Sequence, residues 1–298
     1  TIGYAATQVC DLDQIVVLEG TYSEDSIFLD RKVILASEIY EDGDTSHIAN
    51  TIIRGGNQSM FYYKTNSSNW SDTATSQIRG FTLYPGSASN YNEAAGISRT
   101  DQSVVKIKDV VIDSLSASGY GAVKWNDSPI AFENVEIKNG SGLNNAIIYT
   151  YYSSIHIDNL AFTNNIGSRL LDVRYSHSFT ATDLKAKDNY LSSDAFYIYY
   201  PFANFDIHNV EIVDNKFYSA FNFYYGSSNQ NGELSNALIA GNNTTSGSVI
   251  RSSQYRGNFI LNHNTIVDNY DVYGGGIRSI YHAVDQNYSG TAVRIVGN

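Results

Sequence analysis

Two histidine–aspartate pairs stand on repeated segments of the chain, as His156-x-Asp158 and Asp206-x-His208. A histidine near a carboxylate is a combination that moves protons as a general acid and base. Residues two apart on a strand face the same side, so each pair would project together. With two stacked turns between them, the pairs would lie roughly 10 Å apart. A solvated polar face is the alternative, because neither column of side chains contains an arginine and the carboxylates are not adjacent.

Tyrosines form a second pattern, in which Tyr151, Tyr175, Tyr200 and Tyr225 follow one another at spacings of 24, 25 and 25 residues. Aromatic faces pack against the apolar faces of sugar rings, and phenol hydroxyls hydrogen-bond to sugar hydroxyls. The pattern predicts an aromatic strip that binds glycan, and its ligand-binding residues would be Tyr151, Tyr175, Tyr200, Tyr225, Trp125 and Arg174. Stacking that only stabilises the strands is the alternative.

An acidic segment contains Asp42 and Asp44, followed by Ser46. Alternating oxygen-bearing residues of this kind supply ligands to Ca²⁺, so Asp42 and Asp44 are candidate metal ligands. The complete twelve-residue calcium loop is absent, and a solvent-exposed loop is the alternative.

The composition limits the class of protein. The net charge of −11 over 298 residues argues against a nucleic-acid partner, which would require a basic face. The single cysteine, Cys10, rules out an internal disulfide, and no apolar run is long enough to span a membrane. The 30 asparagines and 24 tyrosines against 15 leucines disfavour a helical protein.

A short segment recurs seven times and sets the architecture that would position these residues. It alternates apolar and polar residues, as a half-buried strand does. Its polar fifth position recurs every 24 to 27 residues, at Asp109, Asn134, Asn159, Asp183, Asn209, Asn236 and His263.

A second strand follows each copy and closes on a polar pair, such as Asn164-Asn165 or Asp214-Asn215. Asparagine and aspartate tolerate left-handed turns, and their amides would stack into a hydrogen-bonded ladder. A third strand begins about ten residues later. Three short strands in roughly 25 residues, joined by tight corners, are typical of a parallel β-helix.

The N-terminal segment carries a resemblance to a known family. Residues 13–18, the element Gly20-Thr21-Tyr22-Ser23-Glu24 and residues 32–35 resemble the opening coil of secreted pectin-lyase-like right-handed β-helix proteins. Residues 43–55 are similar to surface-directed β-helix proteins of marine and environmental bacteria. This superfamily contains polysaccharide lyases and hydrolases, adhesins and phage spikes, so the resemblance implies the fold and not one activity.

The resemblance also implies where catalysis would occur. In the lyases of this superfamily, the corresponding sheet carries an acidic calcium cluster and a basic residue that abstracts the proton next to a uronate carboxylate. The residues of this chain in the matching columns are His156, Asp158, Asp206 and His208.

We therefore predict an all-β fold, a single-stranded right-handed parallel β-helix of about ten or eleven coils that forms one domain over residues 1–298. Residues 1–55 would form the N-terminal cap and first coils, with a short helix within 1–9. Residues 85–101 would form a loop excursion, and residues 105–298 the regular coils. The last residues resemble a further strand, so we expect the polypeptide to continue or to self-associate at its C-terminal coil.

The predicted function is that of a secreted or cell-surface binding or structural domain that contacts glycan through the aromatic strip. One alternative is a polysaccharide lyase or glycoside hydrolase that acts on an acidic polysaccharide. Another is a self-associating adhesin or fibre segment.

Overall fold

The computed structural model describes residues 1–63, 76–87, 93–99, 104–117, 119–141, 143–226, 230–245, 248–255, 258–271, 276–280, 288–289 and 293–296. The chain divides into two compact units, Thr1–Tyr149 and Thr150–Asn298. Within the described residues, no helix is long and apolar enough to cross a membrane. The single domain over residues 1–298 stays a prediction.

The first unit begins with the predicted short helix. This helix, α1 (Ile2–Gln8), is capped by Thr1, whose hydroxyl accepts from the Tyr4 N–H at 3.1 Å. It buries Ile2 and Ala6. The other elements of the unit are β1 (Gln14–Val17), β2 (Gly20–Glu24), β3 (Ile27–Leu29), β4 (Ile34–Ser37), α2 (Ile39–Asp42), α3 (Ser46–Asn50), β5 (Thr51–Gly55), β6 (Phe61–Tyr63), β7 (Ser76–Arg79), β8 (Thr82–Tyr84), β9 (Ile97–Arg99), β10 (Val105–Asp113), β11 (Val123–Asn126), β12 (Ile130–Lys138) and β13 (Leu143–Tyr151), which contains the boundary between the units.

Two parallel sheets form this unit. One has the order β1-β4-β7-β10-β12, with β2, β5 and β8 joined to it through β10. The other has the order β3-β6-β9-β11-β13. Strand β9 lies inside the predicted 85–101 excursion and pairs with β6 and β11, so this segment contributes to the sheet. Residues 88–92 and 100–101 of the excursion lie outside the described residues.

The second unit repeats the same pattern more regularly. Its strands are β14 (Ser154–Thr163), β15 (Ile166–Arg174), β16 (Ser178–Lys187), β17 (Tyr190–Leu191), β18 (Phe196–Tyr199), β19 (Phe205–Val213), β20 (Lys216–Phe217), β21 (Phe221–Gly226), β22 (Asn231–Ala240), β23 (Asn243–Thr244), β24 (Ile250–Tyr255), β25 (Asn258–Asn262), β26 (Asn264–Val267), β27 (Tyr270–Asp271), β28 (Ile277–Ile280), β29 (Tyr288–Ser289) and β30 (Val293–Val296). One sheet runs β14-β16-β19-β22-β25-β29, and β26 pairs with β22 and β30. In the other, β15 begins two rows, β15-β17-β20-β23-β27 and β15-β18-β21-β24-β28.

The chain is an all-β parallel solenoid, as the repeat and the pectin-lyase-like resemblance predicted. It has about seven turns, so the prediction of ten or eleven coils is wrong. The reason lies before Val105, where the strands are only three to five residues long and two short helices interrupt the repeat. These short strands pair in parallel up to β10, but they depart from the period on which the coil count was based.

The polar corners have the predicted backbone. All seven fifth-position residues have positive φ, between 52° and 62°, and so do Asn164, Asp188, Asp214, Gly241 and Asp268 at the next corner. The asparagine after each of these last five residues is buried. Its amide forms a ladder in which Asn165, Asn189, Asn215 and Asn242 each donate to the side-chain oxygen of the next asparagine, ending at Asn269, at 2.8–3.0 Å.

The interior of the second unit is filled by stacked apolar side chains. Phe196 stacks on Phe221 with ring centroids 5.1 Å apart, and Phe205 stacks on Phe223 at 5.0 Å. Along β18 and β21, inward phenylalanines alternate with residues that face outward. This alternation places tyrosines on the surface.

Candidate functional site

The tyrosine column lies at a corner of the second unit, where strands of its second sheet end. Tyr175 follows the last residue of β15, and Tyr200 follows the last residue of β18. The Tyr175 N–H donates to the Tyr199 carbonyl, and the Tyr200 N–H donates to the Tyr224 carbonyl, each at 2.9 Å. Each turn of the solenoid therefore places one tyrosine beside that of the next turn.

These corner tyrosines have left-handed backbone. The φ angles are positive at Tyr152 (51°), Tyr175 (54°), Tyr200 (50°) and Tyr225 (54°). An L-residue pays roughly 1–2 kcal/mol for this conformation, and glycine or asparagine adopts it with less strain. Strain of this kind clusters at functional sites, so it singles out this corner of the solenoid.

The first member of the column is Tyr152, not Tyr151 as the spacing predicted. The Tyr152 N–H donates to the Arg174 carbonyl at 3.0 Å, which repeats the bond made at the later corners. The Tyr152 ring stacks on Tyr175, with centroids 5.0 Å apart and planes 8° apart. Tyr151 ends β13, one residue earlier, and meets Tyr175 edge-on at 5.4 Å. The interval from Tyr152 to Tyr175 is two residues shorter than the intervals between the later corners, so counting from the period misplaces the first member of the column.

A second row of tyrosines lies beside the first. Tyr199 pairs with Tyr224 across β18 and β21, and their rings stack at 5.7 Å with planes 16° apart. The pKa of Tyr199 is raised, mainly by a hydrogen bond with the Tyr175 hydroxyl. The pKa of Tyr224 is raised by desolvation and by its neighbour Tyr225. The phenols therefore interact with one another as well as stacking.

Phe202 and His177 belong to this surface, although the sequence reasoning did not include them. The Phe202 ring centroid lies 5.6, 5.8 and 5.8 Å from those of Tyr152, Tyr175 and Tyr200. His177 lies 5.6 Å from Phe202. Each follows a corner tyrosine by two residues, and this offset is the signal that could have found them.

Three members of the cluster, His177, Tyr200 and Phe202, are exposed. Phe202 is 42% exposed and Tyr200 is 37% exposed, whereas Tyr175 is only half-buried between its neighbours. We define the aromatic surface as the two rows with these additions: Tyr151, Tyr152, Tyr175, His177, Tyr199, Tyr200, Phe202, Tyr224 and Tyr225. It is a packed group of rings with an open edge, rather than the flat open strip that the spacing suggested.

Arg174, predicted as a ligand-binding residue, lies beside this surface in an ion-pair cluster. The Asp172 carboxylate is buried and accepts from Arg174 at 2.8 and 3.0 Å and from Arg169 at 2.8 Å. Arg169 covers the Tyr197 ring, with 4.4 Å between the guanidinium carbon and the ring centroid. Burial, reinforced by the Asp172 charge, raises the pKa of Tyr197. Two arginines therefore share one buried carboxylate.

A second buried carboxylate lies one turn further. Asp194 accepts from the Ser219 hydroxyl at 2.5 Å and from the Asn222 amide at 2.9 Å. These bonds give both oxygens of the buried Asp194 carboxylate a hydrogen-bond donor. The polar groups beside the aromatic surface thus hold one another in place.

Trp125, the other predicted ligand-binding residue outside the tyrosine column, does not lie on the aromatic surface. Its side chain is fully buried in the first unit. It meets Tyr63 edge-on at 5.6 Å, and the Arg99 guanidinium lies 5.3 Å from its ring. Trp125 is two residues after Val123 on β11, so it shares the inward face with that residue.

The histidine–aspartate columns occupy the predicted register on the first sheet of the second unit. His156 pairs with Thr180 and Thr180 with Asp206, while Asp158 pairs with Thr182 and Thr182 with His208. The threonines of β16 thus separate the two pairs, so the structure does not bring Asp158 and Asp206 together. Asp158 is exposed, and His156 Nδ1 lies 2.9 Å from the Thr180 hydroxyl.

The second pair forms a closer arrangement. Asp206 Oδ1 lies 2.6 Å from His208 Nε2, at an angle that departs from a linear hydrogen bond. The other ring nitrogen, Nδ1, is hydrogen-bonded to the hydroxyl of Ser235 on β22. Ser235 was not among the predicted site residues, although the repeat placed it in the same column.

Asp42 and Asp44, the candidate calcium ligands, build a turn of their own. Asp42 accepts from the Asp44 N–H and Asp44 from the Ser46 N–H, each at 2.8 Å, and these bonds lower the pKa of both carboxyls. His47 bridges Asp42 at 3.0 Å and Glu19 at 2.8 Å, and its pKa is raised, first by Asp42. In the described part of the chain no three acidic, histidine or cysteine side chains gather as a metal site. The calcium site stays a prediction.

Neither a protein-family model nor a curated protein matches the chain. Among solved structures it is similar to a PL6 alginate lyase in complex with a trisaccharide, at 10% identity and a TM-score of 0.42, over 99% of this chain and 84% of the other. It is similar to the Streptococcus pneumoniae surface protein and adhesin PfbA, at 12% identity and a TM-score of 0.35, over 99% and 94%. It is also similar to a Yersinia enterocolitica family 28 exopolygalacturonase, at 10% identity and a TM-score of 0.32, over 100% and 75%. Likenesses at this level assign no activity to the chain.

Proposed function

We propose that the second unit binds glycan through the aromatic surface, as part of a secreted or cell-surface protein. The observation that carries this proposal is the left-handed backbone of four successive corner tyrosines. Most of the repeated left-handed positions at the other corners are asparagine or aspartate, which adopt this backbone at a lower conformational cost. Tyrosine at this corner is therefore better explained by what its ring contacts than by the turn.

The exposed edge supports the same conclusion. The Tyr200 and Phe202 rings are open to solvent on a backbone held by hydrogen bonds to its neighbours on both sides. Rigid aromatic faces suit the apolar faces of pyranose rings, and the phenol hydroxyls reach sugar hydroxyls. Because the rings are packed against one another before binding, little side-chain entropy is lost on contact.

The charges favour a neutral or weakly charged glycan. Arg169 and Arg174 both donate to the buried Asp172 carboxylate, so part of their hydrogen-bonding capacity is already used within the protein. The net charge of −11 also repels polyanions at long range. This distinguishes the proposal from the alternative of a lyase or hydrolase acting on an acidic polysaccharide.

The test is a glycan array of neutral and acidic oligosaccharides, probed with the wild-type protein and with Tyr200→Asn and Phe202→Ala. Asparagine tolerates the left-handed corner, so Tyr200→Asn removes the ring and keeps the turn. We expect each substitution to weaken binding by about tenfold or more, since aromatic anchors dominate such contacts. Tyr270→Ala is the matched control, because Tyr270 is 67% exposed on β27, away from the aromatic surface.

Equal binding by wild type, Tyr200→Asn and Phe202→Ala would refute the role of this surface. A parallel assay for unsaturated uronate products separates binding from lyase activity. Turnover that persists in both aromatic variants would favour the enzyme, whereas concentration-dependent assembly without glycan binding would favour the self-associating adhesin or fibre.

A further inference from the structure

The first sheet of the second unit carries a three-residue relay that glycan binding does not use. Asp206 and His208 stand two residues apart on β19 and face the same side. Ser235 on β22 is in register with His208. We propose that Ser235, His208 and Asp206 form a nucleophilic site that hydrolyses carboxylic esters.

The contacts give each side chain a distinct role. The Asp206 carboxylate lies against Nε2 of His208, which favours the tautomer with its proton on that nitrogen. Nδ1 then carries the lone pair, and it is hydrogen-bonded to the Ser235 hydroxyl. His208 is thus placed to remove the serine proton, with Asp206 as the positioning residue. The order of roles is that of an acid–histidine–serine triad, with the two ring nitrogens exchanged.

A second histidine on the same sheet provides an internal reference. His156 is hydrogen-bonded through Nδ1 to the hydroxyl of Thr180, at 2.9 Å. Among the described residues it has no carboxylate contact like that of His208 with Asp206. A hydroxyl–histidine pair therefore arises twice on this sheet, but the complete relay arises once in the described chain.

Ser235 is less exposed than the other two members of the relay, so we expect an ester with a small acyl group. Ser235 is only 6% exposed, whereas the side chains of His208 and Asp206 are 36% and 48% exposed. The column continues from Ser235 to Asn262 on β25, which carries a side-chain amide. An amide N–H is a donor of the kind that stabilises an oxyanion, although in this structure it donates to Glu233 at 3.0 Å.

The reaction balances without a metal or redox partner. The Ser235 oxygen attacks the ester carbonyl as His208 Nδ1 takes the serine proton. Collapse of the tetrahedral intermediate breaks the carbon–alkoxide bond, and His208 returns the proton to the leaving alcohol. Water then attacks the acyl-serine with His208 again as base, which releases the carboxylic acid and regenerates Ser235.

The experiment uses the wild-type protein with a fluorophosphonate probe and with p-nitrophenyl acetate. We expect covalent labelling at Ser235, located by peptide mass spectrometry, and ester hydrolysis that Ser235→Ala abolishes. Asp206→Asn should slow labelling at least about tenfold, and Asp206→Glu should restore part of that rate. Thr180→Ala is the matched control, because it removes the hydroxyl from the reference pair and should leave labelling unchanged.

Labelling of the wild-type protein does not depend on the folding of any variant. No modification of Ser235 by the probe would overturn the proposal. Hydrolysis unchanged in a folded Ser235→Ala protein, as judged by circular dichroism, would also overturn it. Equal labelling rates in Asp206→Asn and wild type would remove Asp206 from the relay.

Discussion

Two columns of side chains run along different corners of the second unit, and they use the same backbone geometry differently. At one corner, residues with positive φ such as Asp188 and Asp214 are each followed by a buried asparagine of the ladder. At the other, the residues with positive φ are themselves the tyrosines, and their edge is exposed. The asparagine column satisfies its own polar groups, whereas the tyrosine column leaves rings open. The difference separates a column that holds the turns together from one that is available to a ligand.

Asn215→Ala should have the largest effect on stability. The Asn215 amide donates to the carbonyls of Ala186 and Val213 and to Asn242, and its oxygen accepts from both nitrogens of Asn189. Because its removal leaves several buried groups unsatisfied, we expect a loss of about 3 kcal/mol in the free energy of unfolding. Urea denaturation measures this loss. Asn243→Ala, at an exposed position of β23, is the control and should change stability by less than about 0.5 kcal/mol. A similar loss in the free energy of unfolding for both variants would contradict a structural role of the ladder.

Asp214→Tyr places an aromatic residue at the asparagine corner, where φ is 56°. Tyrosine is less suited than aspartate to this conformation, so we expect a loss of about 1 kcal/mol in the same urea measurement. Asp214→Asn, which keeps a residue suited to the turn, is the control. If the tyrosine were tolerated without cost, the strain argument for the aromatic surface would fail.

Tyr200→Asn makes the reverse exchange and should change stability by less than about 1 kcal/mol. The relief of backbone strain offsets the lost contacts with Tyr175, Phe202 and Tyr225. The thermal midpoint of Tyr200→Asn should therefore stay close to that of the wild type, whereas its affinity for glycan should fall. A destabilisation as large as that of Asn215→Ala would mean that the tyrosines are structural.

Alkaline titration should give the smallest effect and distinguish the tyrosines from one another. In the unfolded chain, tyrosine loses its proton with a pKa of about 10. In the folded protein the pKa of Tyr199 is raised, so its phenol stays protonated to a higher pH. The resulting stabilisation is complete below the unfolded pKa and is lost as the pH rises through the folded pKa.

The measurement is tyrosinate absorbance against pH. Tyr175→Phe removes one titrating group and the hydrogen bond at Tyr199, so the Tyr199 pKa should fall towards its ordinary value. Tyr270→Phe removes one exposed phenol only. Identical curves for the two variants would show that the column hydroxyls do not interact.

Periodic features were predictable because each turn repeats the same local requirement. A left-handed corner favours asparagine, aspartate or glycine, and an amide stacked above an amide bonds along the axis. The ladder from Asn165 to Asn269 therefore follows from spacing alone, and so does the register of His156 with Asp206 through Thr180. The coil count failed because the first hundred residues depart from the period.

Other features depended on contacts that spacing does not encode. The interval from Tyr152 to Tyr175 is two residues shorter than the later intervals, which moved the column from Tyr151 to Tyr152. The Phe202 ring contacts the Tyr152 ring, which belongs to a turn two turns earlier. The spacing of the residues does not predict this contact. The contact of His208 with the Ser235 hydroxyl depends on the side-chain rotamer of His208. That rotamer is set by packing and not by the spacing of the residues.

The amino-acid sequence by itself determined a parallel solenoid, its period and the chemistry of its corners, because backbone pairing and left-handed turns depend on residue type repeated at a constant interval. The tertiary structure decided which rings remain exposed, that Asp172 binds both Arg169 and Arg174, and that Asp206, His208 and Ser235 meet. Those outcomes are set by side-chain rotamers and by contacts between turns, and residues more than 20 positions apart in the chain become neighbours only when the turns stack.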